Sequence, residues 1–317
     1  ILAMQAVSVG AQDAPPAAGA GEVISFPDPA VDPNAKAGGT LRVITVDDPQ
    51  SLDILVTQLA QSRNVMDSVF DTLTYLDAAD PNFTIKGRLA KSWQFTSPTT
   101  LDFNLREGVT FHDGQDFSAE DVKWTVEYVK NSETASPNSS VLTEIDSVEV
   151  VDPLTARLHL KQPWPAMPAD LSTIQIYSKT ATHDQITTKP NGTGPFMWKE
   201  YVPGDHISIV KNPNYWLTGF PYLDQIDFRP IKEKATSLSV MQAGDADVFL
   251  TPELKDKETI DGDPNLKSVP ALLNDLGYIY YVNNSRPPMN DLNIRLAASY
   301  AFDRQTFFDA FLAGQGS

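Results

Sequence analysis

At 317 residues the chain has room for two domains and a sizeable core, and 41% hydrophobic with 21% charged residues is ordinary for a globular protein. Its 24 basic and 41 acidic residues give a net charge of −17, which argues against a nucleic-acid partner. The absence of cysteine excludes disulfides, thiolate catalysis and thiolate metal sites, and no internal run is long and apolar enough to span a bilayer.

In chain order, residues 1–9 read as the tail of an apolar signal-peptide core, and Val9-Gly10-Ala11 reads as a signal-peptidase site. A flexible terminus with chance alanine content is the alternative. Residues 12–39, rich in Ala, Pro, Gly and Asp, are expected to be a disordered leader. Order begins with a strand over Leu41–Val46, ending at the Asp47-Asp48-Pro49 turn signal. A helix is expected over Val56–Phe70, then short strands at Thr72–Leu76 and Phe83–Ile85 around Asp80-Pro81-Asn82.

Leu101, Phe103 and Leu105 alternate with polar residues, as do Val109 and Phe111, which predicts two half-buried strands. Arg106-Glu107-Gly108 between them reads as a short hairpin loop, with Gly108 free to take a positive φ. Ser118 and Asp121 form an S-x-x-D helix start, followed by Val122, Val126 and Val129 at helical spacing. A second hairpin is expected from Ser147–Val151 and Thr155–Leu160 around Asp152-Pro153. Further strands are predicted at His206–Lys211, Ile226–Ile231, Ala246–Leu250 and Gly277–Val282. Helices are predicted at Thr236–Ala243, closed by Gly244, and at Asn293–Phe302. Strands alternating with helices suggest mixed α/β sheets.

Chemistry-bearing constellations are sparse. His112, His159, His183 and His206 lack metal-ligand spacing, and His112 is expected to hydrogen-bond locally before the Asp113-Gly114 turn. No G-x-S-x-G or other nucleophile arrangement occurs. Asp47 and Asp48 sit where a strand ends, the usual place for ligands in open α/β sheets; the stronger alternative is an Asp-Pro turn with exposed side chains, since Asp before Pro is a common turn residue. Gly192-Thr193-Gly194-Pro195 suits either a crossover beside a ligand or any tight loop.

The string FNLREGVTFHDGQDFSAEDV closely resembles the signature of the family 5 extracellular solute-binding proteins of ABC importers, a group that includes dipeptide-, oligopeptide-, nickel- and glutathione-binding proteins. GTGPFMWKEYVPGD, KNPNYWLTGFPYLDQIDFRPI, SVMQAGDADVFL and YVNNSRPPMNDLNIRLAASYAFDR look like later landmarks in family order. The likeness covers roughly residues 40–303. It implies an α/β fold, a two-lobed periplasmic-binding-protein clamshell with an extra domain inserted in lobe I. Residues 40–54 and 174–269 would form lobe I, 55–173 the inserted subdomain, and 270–317 the beginning of lobe II, which is truncated because family members run longer.

The function implied is capture of a small solute, a peptide or peptide-like compound first, for delivery to the transmembrane subunits of an ABC permease. The resemblance implies a periplasmic or extracellular location, export by a signal peptide, a monomer, no cofactor, no metal and no catalytic residues. A secreted hydrolase on a two-domain scaffold is the alternative. Ligand contacts are expected from Asp47, Asp48, Thr193, Gly194, Thr251, Tyr281 and Asn283, which follow strand ends or crossover loops.

Overall fold

A computed structural model describes residues 21–57, 59–269 and 282–311. They belong to two units that divide between Pro230 and Ile231. The first unit holds strands β1 (Val23–Ser25), β2 (Thr40–Thr45), β3 (Thr74–Leu76), β4 (Ile85–Gly87), β5 (Ala90–Ser97), β6 (Thr100–Leu105), β7 (Ile145–Asp152), β8 (Thr155–Leu160), β9 (Phe196–Val202), β10 (His206–Lys211) and β11 (Gln225–Pro230). Its helices are α1 (Ala60–Met66), α2 (Ala119–Lys130), α3 (Met167–Asp170) and α4 (His183–Thr188).

One sheet runs β1-β5-β6-β8-β7, antiparallel throughout. The alternation of β6 sends Leu101, Phe103 and Leu105 inward, where Leu101 lies opposite Leu158 and Phe103 opposite Ala156. The other face carries Asp102, paired across the strands with Arg157 through bonds of 2.7 and 2.9 Å. Helix α2 starts as its sequence requires: Asp121 Oδ2 accepts from the Ser118 amide at 2.8 Å. Val122, Val126 and Val129 on its inner face are buried, each contributing about 1.5–3 kcal/mol of transfer free energy.

Three expectations need correction here. Residues 21–39 are not a disordered leader: Val23–Ser25 pairs with Gln94, Trp93 and Ser92, and Phe26 packs on Trp93. The strand with Leu101–Leu105 does not form a hairpin with Val109–Phe111. Both of its edges are taken, by β5 and β8, which leaves residues 109–111 a single bridge from Thr110 to Asp116. Gly108 does adopt the left-handed conformation, φ +70°. Phe83 is no strand residue; it sits at φ +51° in the turn, and the strand begins two residues later at Ile85.

In the second sheet β2 lies beside β11, parallel, with Leu41 opposite Ile226 and Thr45 opposite Pro230. β10 and β9 follow, antiparallel. The first long strand of the chain thus pairs with a strand far along the sequence, Leu41 with Ile226. The whole β3–β8 region lies between these partners in the chain.

The second unit contains α5 (Lys234–Gln242), β12 (Val248–Phe249), α6 (Lys257–Gly262), α7 (Leu292–Ala301) and α8 (Arg304–Phe311). Gly244 closes α5 at φ +76°, its amide on the Met241 carbonyl at 3.0 Å. The strand expected over Ala246–Leu250 is only two residues long. Residues 277–281 of the last expected strand lie outside the described residues, and Val282 is in no element. On α7, Leu292, Leu296 and Tyr300 are exposed.

Candidate ligand-binding site

The parallel pair β2 and β11 points both C-terminal ends at one edge of the second sheet. The β9–β10 turn lies at that edge too, because Val202 pairs with His206. The chain leaves β2 there through half-buried Asp47 and Asp48. Asp47 Oδ1 accepts from the amide of the next residue, Asp48, at 2.9 Å. The Asp48 carboxylate accepts the Gly204 amide at 3.1 and 3.3 Å, and the Tyr201 hydroxyl is also bonded to it. Asp48 thus ties the β9–β10 turn to the end of β2. Gly204 allows this by its φ of +77°.

Burial, and then the nearby Asp48 charge, raise the Tyr201 phenol above its ordinary value, so it stays a donor. His206 adds to the edge: its Nδ1 is 2.7 Å from Asp205 and its Nε2 3.5 Å from Glu200. The hydrogen bond to Asp205 is the main cause of a raised imidazole pKa. Two carboxylates, Glu200 and Asp205, therefore flank this imidazole, and Asp47 and Asp48 lie at the same end of the sheet. Such an edge can accept hydrogen bonds from an ammonium or from hydroxyls.

Thr193 and Gly194 lie elsewhere. They precede Phe196, the first residue of β9, whereas Asp48 meets the turn after its last residue. At about 3.3 Å per residue, that strand separates the two pairs by roughly 20 Å. Thr193 is wholly buried and donates to Asp71 Oδ2 at 3.2 Å. Gly194 donates its amide to the Val69 carbonyl at 2.9 Å, and its own carbonyl accepts from His112 Nε2 at 2.9 Å and Asn212 Nδ2 at 3.1 Å. A Cβ on Gly194 would lie 2.6 Å from the Val69 carbonyl carbon and oxygen, so glycine serves close backbone approach here. The expectation that His112 bonds locally is corrected: its ring reaches 82 residues along the chain. Burial holds its imidazole below the ordinary value.

Thr251 is exposed in the second unit, two residues after β12. Asn283 is exposed there too, its Oδ1 accepting the Ser285 amide at 3.1 Å. Tyr281 lies outside the described residues. Among the described residues no three His, Cys, Asp or Glu side chains are grouped to hold a metal ion, and no helix is long and apolar enough to cross a membrane.

Sequence reasoning missed Asp71. It is fully buried and receives Thr193, Trp216 Nε1 at 2.9 Å, Tyr215 at 3.4 Å and Arg88 Nε at 3.3 Å. Burial pushes its carboxyl up from the ordinary value, while Arg88 and the three donors pull it back. No local signal marks it, since its partners come from three separate segments, at Arg88, Thr193 and Tyr215-Trp216.

The sequence profile of the bacterial extracellular solute-binding proteins, family 5, middle region, matches residues 84–317. The chain belongs to this family. Among family 5 relatives, the glutathione-binding protein GsiB of Salmonella paratyphi A is 28% identical over 249 residues, covering 74% of this chain and 47% of the relative. A putative ABC transporter peptide-binding protein of Brucella ovis is 27% identical, over 73% of this chain and 45% of the relative. The fold is that of the periplasmic binding protein DppA from Helicobacter pylori, solved with the peptide STSA. It aligns with a TM-score of 0.75 and 24% identity, over 88% of this chain and 59% of that one. This family 5 chain therefore spans about half the length of the curated relatives it matches.

Proposed function

We propose that the whole protein is the substrate-binding component of an ABC importer, acting in the periplasm or outside the cell. It captures a peptide or peptide-like solute and hands it to the transmembrane permease. The family match over residues 84–317 carries this reading. The names of the relatives, glutathione-binding and peptide-binding, support this solute class. The strand-end edge adds chemistry that suits it: the carboxylates around Asp47 and Asp48 favour a ligand bearing an ammonium, as an unblocked peptide does.

Thr251, Tyr281 and Asn283 are proposed as ligand contacts from the second unit. The roles of Thr193 and Gly194 are those of packing beneath Asp71 and Val69 rather than of the same wall. The protein works as a monomer without cofactor, and no bond is made or broken. A secreted hydrolase would need a nucleophile with an adjacent base. The imidazole at this edge, His206, has Asp205 and Glu200 as its partners, and no hydroxyl is among its contacts in the described residues.

The test is calorimetric titration of the full-length protein with short peptides, each compared with its N-acetylated form. A charge-assisted bond is worth about 1.5–3 kcal/mol, so acetylation should weaken binding at least about tenfold. Equal affinity for both forms would remove the acidic edge from the binding site.

A further inference from the structure

The end of the second sheet opposite Asp47 and Asp48 holds a cavity of about 350 Å³, a volume suited to a small organic molecule. Pro195 at the start of β9, and Tyr215 and Trp216 after the end of β10, place it there. Its walls are mainly apolar and aromatic: Tyr75, Tyr215, Trp216, Leu217, Phe220 and Pro221. Two guanidinium groups line it as well, and they are in different states.

Arg106 is engaged through all three of its side-chain nitrogens. Its Nη1 and Nη2 donate to Asp28 at 3.2 and 2.5 Å, its Nε donates to the Arg88 carbonyl, and its guanidinium lies 4.5 Å from the centre of the Trp216 ring. Arg88 is not. Its Nε faces Asp71 at 3.3 Å and its guanidinium lies 5.4 Å from the Tyr75 ring centre. Among the described residues its two terminal nitrogens have no hydrogen-bond partner. Its side chain is 32% exposed, and the cavity is lined by it.

Asp71 fixes that guanidinium from behind. The carboxylate is itself held by Thr193, Tyr215 and Trp216, so the arginine is anchored on one side with donors left on the other. A planar guanidinium presenting two N–H donors matches a carboxylate. Aromatic and prolyl walls around it match a flat or compact apolar body.

We propose that this cavity is a second ligand site, independent of the strand-end edge, which binds a small monocarboxylate with an aromatic or similarly flat apolar body. Arg88 pairs with the carboxylate, and Tyr75, Trp216 and Phe220 enclose the ring. Thr193 and Asp71 are positioning residues, acting through Arg88.

Ligand-observed NMR titrations of the protein test this with three probes: phenylacetate, neutral 2-phenylethanol and cationic phenethylamine. Phenylacetate should bind saturably, and the other two at least about tenfold more weakly. Arg88→Gln should abolish that preference. Because this variant leaves Asp71 without its cation, Leu217→Trp serves as a second test, filling the cavity while keeping the arginine. It should remove phenylacetate binding with the melting temperature preserved. Asp47→Asn with Asp48→Asn should leave phenylacetate affinity unchanged, which separates this site from the peptide reading. Equal binding of phenylacetate and 2-phenylethanol, or no saturation up to about 10 mM, would overturn the proposal. So would phenylacetate binding that survives Leu217→Trp.

Discussion

Asp48 invites a perturbation whose structural and binding consequences can be separated. Its carboxylate takes the Gly204 amide at 3.1 and 3.3 Å and the Tyr201 hydroxyl. Removing it by Asp48→Ala leaves both donors to water, Gly204 in an exposed turn and Tyr201 half-buried. Bonds to a charged group contribute about 1.5–3 kcal/mol when well sheltered, so partial exposure sets the loss near about 2 kcal/mol. Asp48→Asn keeps one acceptor oxygen and should cost about half that. For a unit of this size each kcal/mol moves the melting temperature by about 2–4 °C, giving a fall of about 4–8 °C for the alanine variant. Tyr201→Phe tests the other partner: its effect should largely vanish in the Asp48→Ala background, as a double-mutant cycle requires. Scanning calorimetry of the ligand-free protein is the assay. If Asp48→Ala melts within about 1 °C of the parent, the carboxylate does not hold the β9–β10 turn and the argument from these distances fails.

Gly194→Ala puts a methyl 2.6 Å from the Val69 carbonyl, and backbone cannot yield cheaply; a loss of about 3 kcal/mol or more by urea unfolding is expected. His112 is buried with its pKa depressed below 6.5, so its contribution to stability is present above about 6.5 and is lost as pH falls through the folded value. The melting temperature should drop between about pH 7 and pH 5, and His112→Gln should flatten the part of that drop belonging to this residue. On α7, exposed Leu292, Leu296 and Tyr300 should bind a hydrophobic dye, and Leu292→Lys with Leu296→Lys should reduce the fluorescence; unchanged dye binding would place its site elsewhere.

Elements with a strong local pattern could be read from the sequence. The alternation of Leu101, Phe103 and Leu105 gave β6, and the Ser118–Asp121 spacing gave the start of α2, because pleat and cap are both local devices. What strands pair with is another matter. Phe111 alternates like a strand residue, yet β6 had better partners in β5 and β8. β1 was hidden because three residues among Pro, Gly and Asp carry no period, and only its pairing with β5 makes it a strand. At the candidate site, Asp47 and Asp48 were legible as a strand end. The hold of Asp48 on Gly204 was not, since it depends on where β9 and β10 turn. The Asp71 cluster was invisible for a similar reason: Arg88, Thr193, Tyr215 and Trp216 meet it only through the packed fold.

We propose that this family 5 chain belongs to a receptor that binds a peptide-like solute and releases it unchanged. The most direct measurement is calorimetric titration of the full-length protein with glutathione and a set of di- to tetrapeptides, followed by mass spectrometry of the recovered peptide. The account predicts saturable, reversible binding of at least one of them at one site per protein, with every peptide recovered intact. Cleaved or modified peptide, or no binding across the whole set, would contradict it.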